Sequence, residues 1–291
     1  MLLGALEAGG TKMVMGIADE QGRILRSSSC PTRLPDETAD DILAFFEGEQ
    51  LDALGIATFG PADLNPASPT YGSITNTPKL AWRDFPLLRR LQDKLKVPAV
   101  IDTDVNGAVL AEVRMGAAQG LRNCLYMTIG TGIGGGLMSE GQLVHGLIHP
   151  EWGHVIVARH PEDPLTRGVC PYHEHCVEGY ASGPSIQARW ATPAQDLPKD
   201  HRAWEIEAWY LAQVCVTAMM TVSPERIILG GGVMHNADLF AMIRKNVTAL
   251  VGGYLRSPVL QDMDSYIVPP ALYPDSGLVG AALLAADAVK G

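Results

Sequence analysis

No stretch of this 291-residue chain reaches the roughly 18 consecutive apolar residues of a membrane-crossing helix. Its opening, MLLGALEAGGTK, also lacks the basic start and long apolar segment of a secretory signal. A helical membrane span is thereby excluded, and a cytoplasmic location is expected. Basic residues are in short supply, 22 Lys and Arg against 32 Asp and Glu, for a formal net charge of -10. A nucleic-acid binder carries the opposite sign, so neither nucleic acid nor an acidic membrane is an expected partner. Cysteine is sparse and odd in number, five in all (Cys30, Cys124, Cys170, Cys176, Cys215), which argues against a disulfide framework. Charged residues, at 19 %, are too few for a coiled coil or a disordered chain.

What the chain does have is a 47 % hydrophobic composition, with 31 glycines and 20 prolines that follow no fixed period. That describes a globular protein of one large domain or two lobes. The start reads as an apolar run (Leu2 to Leu6), a turn at Ala8-Gly9-Gly10-Thr11-Lys12, a second run (Met13 to Ala18) and a third from Ile24: strand, turn, strand, turn, strand. The same pattern recurs at Leu125 to Ile129, Gly130-Thr131-Gly132-Ile133-Gly134-Gly135-Gly136 and Leu137-Met138. Two copies of a glycine-turned hairpin, each too long for a solenoid unit, suggest a duplication giving two related lobes. Between them helix and strand alternate: helix at 36–46, strand at 53–57, helix at 85–95, strand at 99–102 and helix at 105–115, the pattern of a mainly parallel, covered sheet. A first lobe over 1–115, with a C-terminal helix (277–291) packing back on it, and a second over 116–276 with an insert at 145–178 are expected.

Several motifs carry chemistry. At Gly9-Gly10-Thr11-Lys12, glycine permits the positive φ of a tight turn and lets backbone N–H groups approach a phosphate. Alone it is also an ordinary hairpin turn; Glu7 ahead of it, and the second loop at Gly130 to Gly136, favour a pair of loops for a polyphosphate. Gly230-Gly231-Gly232 lies between an apolar strand and a helix, where open α/β sheets bind ligands. Ile101-Asp102-Thr103-Asp104-Val105-Asn106 puts two acids and an amide at a strand's C-terminal end. Any one can cap the following helix, but not all three, and Asp104 is the candidate base for a hydroxyl attacking a γ-phosphate. Cys170-x-x-His173-x-x-Cys176 suits tetrahedral zinc. The fourth ligand could come from His154, His160 or His175; His154 is preferred, because His175 adjoins Cys176 and neighbouring side chains converge on one metal only with strain. Glu151 and Glu178 flank the cluster, so a zinc site would fix two carboxylates suited to sugar hydroxyls.

Glu7-x-Gly-Gly-Thr-Lys12, Asp104-Val-Asn106, Gly130-Thr-Gly-Ile-Gly-Gly-Gly136, Glu151-x-Gly-His154, Cys176-x-Glu178 and Leu229-Gly-Gly-Gly-Val233, in this order across nearly the whole chain, resemble the ROK sugar kinases. The resemblance implies an α/β, two-lobed, actin-like (ribonuclease H-like) ATPase fold whose lobes close on a sugar and MgATP, with a structural Zn²⁺ loop. It implies Asp104 as catalytic base, with Gly60, Pro61, Thr103, Glu151, His154 and Glu178 beside the sugar. Gly10, Thr11, Lys12, Thr131 and Gly132 would serve the phosphates, and Pro184, Gly231 and Gly232 the nucleotide. His154, Cys170, His173 and Cys176 would hold zinc. Glu7 stands where the family commonly has Asp, and His173 where it commonly has Cys; both variants resemble the fructokinase branch. The implied activity is ATP-dependent phosphorylation of D-fructose to fructose 6-phosphate by a homodimer. Glucose, mannose or an N-acetylated amino sugar is the alternative substrate, and a sugar sensor the alternative role.

Overall fold

The computed structural model describes residues 1–290. In chain order the strands are β1 (Leu3–Ala8), β2 (Lys12–Ala18), β3 (Ile24–Pro31), β4 (Ala53–Thr58), β5 (Ala99–Thr103), β6 (Cys124–Ile129), β7 (Ile133–Ser139), β8 (Gln142–Leu143), β9 (Arg226–Gly230) and β10 (Ile267–Val268). The helices are α1 (Pro35–Phe46), α2 (Leu87–Leu95), α3 (Asp104–Met115), α4 (Val177–Ala181), α5 (Gly183–Trp190), α6 (Ala203–Thr221), α7 (Asp238–Val251), α8 (Met263–Tyr266) and α9 (Ser276–Lys290). These elements divide into two compact units. The first takes residues 1–115, 143–150 and those from Leu272 onward, the second residues 116–142 and 151–271.

The first unit is built on a sheet of order β3-β2-β1-β4-β5. β1, β2 and β3 form an antiparallel meander, while β1, β4 and β5 run parallel. The parallel arrangement expected between the hairpin copies therefore holds for three strands only, because the glycine turn makes β2 double back. β4 is buried at every residue, as befits a strand covered on both faces. β3 (ILRSSSCP) is mostly exposed and lies at the edge, where Arg26 and three serines discourage pairing with another chain. One sheet face packs Leu6, Ile56, Phe46, Leu87 and Trp82; the other packs Ala5, Ala53 and Ala57 against Ala281, Ala282 and Ala285 of α9. The small residues let backbones meet: a Cβ at Gly55 would stand 1.9 Å from the Ala281 carbonyl oxygen, and one at Gly280 2.0 Å from that of Gly107.

In the second unit the order is β10-β9-β6-β7-β8. Read from the far end of the hairpin, this is 8-7-6-9-10 against 3-2-1-4-5, one arrangement used twice. β6 pairs antiparallel with β7 and parallel with β9, which pairs parallel with β10. α6 is apolar over most of its circumference and buried accordingly, with α7 packed beside it. Among the described residues no helix is long and apolar enough to cross a membrane.

Candidate active site

In the first unit several candidate residues gather where β5 becomes α3. Thr103, the last residue of β5, accepts at Oγ1 from the Asn106 amide (3.1 Å) and so caps the helix, a role for which the sequence offered Asp and Asn. That leaves the acids free for other work. Asp104 accepts at Oδ1 from the Val105 amide at 2.9 Å, so backbone groups hold the carboxylate. Burial pushes its pKa from the ordinary 3.8 to about 6, a poise suited to a base near neutrality. Asp102 is buried, with Oδ1 accepting from the Thr103 amide (2.7 Å) and Asn106 Nδ2 (2.8 Å), and Oδ2 lying 2.8 Å from His145 Nε2.

Glu7, on β1, is raised to about 7, first by burial, then by the nearby Asp104 charge, with Lys12 pulling the other way. A Cβ at Gly277 would stand 2.6 Å from Glu7 Cδ, so glycine at the start of α9 makes the room. The Gly9–Lys12 turn closes with Gly9 N–H donating to the Lys12 carbonyl at 3.1 Å and Thr32 Oγ1 donating to the Gly9 carbonyl at 2.7 Å. The expected positive φ is not found there: Gly9 and Gly10 are absent from the left-handed residues. Glycine is required instead because a Cβ at Gly9 would lie 2.5 Å from the Lys12 carbonyl oxygen. Thr11 and Lys12 are exposed. Lys79 Cε comes 3.3 Å from where a Cβ on Gly10 would be, which brings a second lysine side chain beside the hairpin. Gly60 and Pro61, joined by a cis peptide, follow β4, and the Pro61 carbonyl accepts from the Thr75 amide at 2.7 Å.

The second unit brings together Glu178, Glu151 and His154. Glu178 Oε2 accepts from the Ile133 amide at 2.9 Å and would be 2.8 Å from a Cβ on Gly132, so this carboxylate is docked on the second glycine loop. Glu151 leads into a single helical turn, Trp152–His154, that lies on β7. A Cβ at Gly135 would meet Trp152 at 2.7 Å and one at Gly153 the Ile133 carbonyl oxygen at 1.9 Å. Thr131 is exposed at the loop tip, and Gly183 N–H, next to Pro184 in the first turn of α5, donates to the Gly130 carbonyl at 2.7 Å. Gly231, beyond β9, is the one glycine of these loops with a positive φ, +92°, and a Cβ there would stand 2.4 Å from the Ile129 carbonyl oxygen. Gly232 follows it, exposed.

His154, Cys170, His173 and Cys176 form one cluster, their ligand atoms all within 4.8 Å of one another. Cys170 Sγ is 3.9 Å from His154 Nδ1 and 3.8 Å from His173 Nδ1. Tetrahedral zinc with bonds of about 2.0 to 2.3 Å sets its ligand atoms roughly 3.3 to 3.8 Å apart, so the donor set and spacing fit that ion. Burial pushes the Cys176 thiol up to about 12; a divalent cation is what would hold two neighbouring sulfurs as thiolates. The other histidines are engaged elsewhere: His160 Nδ1 accepts from the Glu162 amide, and His175 Nδ1 lies 2.8 Å from Tyr180 Oη. Backbone bonds from Val157 N–H to His175 and from Val177 N–H to Val155 tie the two halves of the cluster.

Two groups had no signal in the sequence. One is the pairing of Asp102 with His145. The other is a buried ion pair, Arg189 Nε to Asp163 Oδ1 at 2.8 Å, with Tyr210 Oη donating to Asp163 Oδ2 at 2.7 Å. Both join residues far apart in the chain, and no local motif announces them.

The ROK family model matches residues 3–288. A fructokinase of Pediococcus pentosaceus is 43 % identical over 290 residues, covering 100 % of this chain and 99 % of that protein. A fructokinase of Zymomonas mobilis is 40 % identical over 292 residues, covering 98 % and 96 %. Among solved structures, a ROK family glucokinase from Streptomyces griseus in complex with glucose and AMPPNP is 28 % identical with a TM-score of 0.79, covering 99 % of this chain and all of that one.

Proposed function

The chain belongs to the ROK family, and from that premise we propose that it transfers the γ-phosphoryl group of MgATP to the 6-hydroxyl of D-fructose, with Asp104 as general base. The observation that carries this reading is the Asp104 carboxyl, fixed by backbone amides at the start of α3 and raised by burial to about 6. The choice of sugar rests on the full-length fructokinase relatives, at 43 % and 40 % identity.

The chemistry needs no covalent intermediate. The 6-hydroxyl oxygen attacks the γ-phosphorus, the bond to the β,γ-bridging oxygen breaks, and ADP leaves while Asp104 takes the hydroxyl proton. Near pH 7 a base poised at about 6 is mostly ionised yet still basic enough to take that proton. Gly10, Thr11 and Lys12 in the first unit, and Thr131 and Gly132 in the second, are assigned to the phosphates, where amides and an ammonium stabilise spreading charge. Pro184, Gly231 and Gly232 are assigned to the nucleotide. Gly60, Pro61, Thr103, Glu151, His154 and Glu178 are assigned to the sugar, whose hydroxyls need rigid acceptors if they are to compete with water. A Zn²⁺ held by His154, Cys170, His173 and Cys176 would supply cross-linking of the loop that carries Glu151 and precedes Glu178. The working form in this reading is a cytoplasmic homodimer.

Release of ADP from MgATP with D-fructose, D-mannose, D-glucose and N-acetylglucosamine offered separately tests the reading. Preference for fructose is expected. Turnover restricted to another sugar would move the specificity within the family, and none with any sugar would favour a sensor.

A further inference from the structure

Residues 143–150 pack within the first unit, although the chain enters them from β8 and leaves them at Glu151 of the second. Two histidines fasten this strap at separate points. His145 Nε2 lies 2.8 Å from Asp102 Oδ2 and 3.5 Å from Asn106 Nδ2, beside the turn that carries Asp104. His149, 6 % exposed, accepts at Nε2 from the Ala62 amide at 3.2 Å, and its Cε1 would be 3.2 Å from a Cβ on Gly60. Between them the tip of the strap turns Leu147 out to solvent.

We propose that His145 and His149 are positioning residues for the sugar phosphorylation, the first setting the Asp104 turn through Asp102, the second setting the Gly60–Pro61 turn. This inference rests on the reading of Asp104 as base and of Gly60–Pro61 as part of the sugar site.

The hydrogen bonds give each histidine a distinct task. Asp102 Oδ1 is already shared by the Thr103 amide and Asn106 Nδ2, so His145 supplies the partner of Oδ2. Removing the imidazole leaves that oxygen of a buried carboxylate unpaired, a costly state. The carboxylate would then turn toward another donor, carrying Thr103 and Asn106 with it. Those two residues flank Asp104 and cap its helix, so the base moves although neither histidine touches it. His145 meets the Asp102 carboxylate, an acceptor, at Nε2 and so donates there. His149 accepts an amide hydrogen at Nε2, so that nitrogen carries no proton. One ring must donate where the other must accept, and the two are not interchangeable.

The test is steady-state kinetics on the full-length variants His145→Ala, His145→Gln, His145→Asn, His149→Phe and His149→Gln, each with a thermal melt. His145→Ala is expected to lower kcat about 100-fold with the MgATP KM within about twofold, the effect of displacing a catalytic group by about an ångström. Glutamine can still donate to Asp102 Oδ2, whereas asparagine is too short to reach it. His145→Gln should therefore recover about tenfold in kcat over His145→Ala, and His145→Asn should not. His149→Phe, which keeps a ring but offers no acceptor, should raise the fructose KM about tenfold with kcat within about threefold, and His149→Gln should restore part of it. Should His145→Ala fail to fold, the kcat of His145→Gln against His145→Asn decides the point. Losses that merely track the folded fraction, or equal kcat for the Gln and Asn variants, would overturn the inference while leaving the functional reading intact. A wild-type protein that turns over no sugar would overturn both.

Discussion

In the first unit the candidate residues sit on the turn between β5 and α3, where regular secondary structure positions Thr103, Asp104 and Asn106 through short backbone bonds. In the second the candidates sit on a largely irregular stretch from Glu151 to Glu178, docked on the β6–β7 hairpin and carrying the His154, Cys170, His173 and Cys176 cluster. The strand order is the same in both. The difference teaches that a sheet repeated in one chain can hold reacting groups in two ways. A strand end needs only a capped helix to fix a carboxylate, whereas a long loop needs cross-links, because ordering it costs backbone entropy that its own few contacts do not offset.

The largest expected effect breaks the first-unit half of this comparison. Asp104→Asn should lower kcat by about 10² to 10⁴ with fructose, the range for loss of a general base, measured by coupled ADP release. The same variant should melt higher than wild type at pH 7 to 8. The sign follows from the raised pKa: between about 4 and about 6 the folded protein holds a proton that the unfolded chain has lost, so folding stability falls as pH rises through that window. Asparagine carries no such cost, and the difference in Tm should vanish below pH 4.

The second-unit half is sharpened by Cys176→Ser, or by stripping metal with a strong chelator. Either should lower Tm and cut turnover at least tenfold, with re-addition of Zn²⁺ restoring the stripped wild type but not the variant. Unchanged activity and melting in verified metal-free protein would contradict the cross-link. A smaller effect is expected from Gly231→Ala. At φ +92°, with Ile129 backbone atoms within 2.7 Å of the new Cβ, the turn after β9 must shift. The MgATP KM should rise several-fold while the fructose KM stays put. A last expectation concerns pH: kcat/KM for fructose should fall tenfold per pH unit below about 6, as Asp104 takes up a proton.

Much of this layout was legible in the sequence because its signals are local. Apolar periodicity placed α1, α2, α3 and α9 within two residues of their ends, and two glycine turns announced the repeated hairpin. The Cys170-x-x-His173-x-x-Cys176 spacing named three members of a cluster, and the structure gathers them with His154, the fourth that the sequence preferred. What the sequence hid depends on distance or on backbone angle. The glycines at 9 and 10 looked like positive-φ residues yet serve close approach, which only coordinates distinguish. Asp102 read as one more helix-capping acid, since its partner His145 lies 43 residues away in the chain. Likewise no local motif marks Asp163 and Arg189, which lie 26 residues apart in the chain and which the fold buries against each other.

Whether Asp104 serves as the base for phosphorylation at the 6-hydroxyl is decided by ³¹P NMR of D-fructose and MgATP incubated with wild-type protein and with Asp104→Asn at matched folded concentration. ADP and fructose 6-phosphate are expected from the wild type, and unconsumed ATP from the variant over the same interval. Phosphorylation at another hydroxyl, or equal product from both proteins, would contradict it.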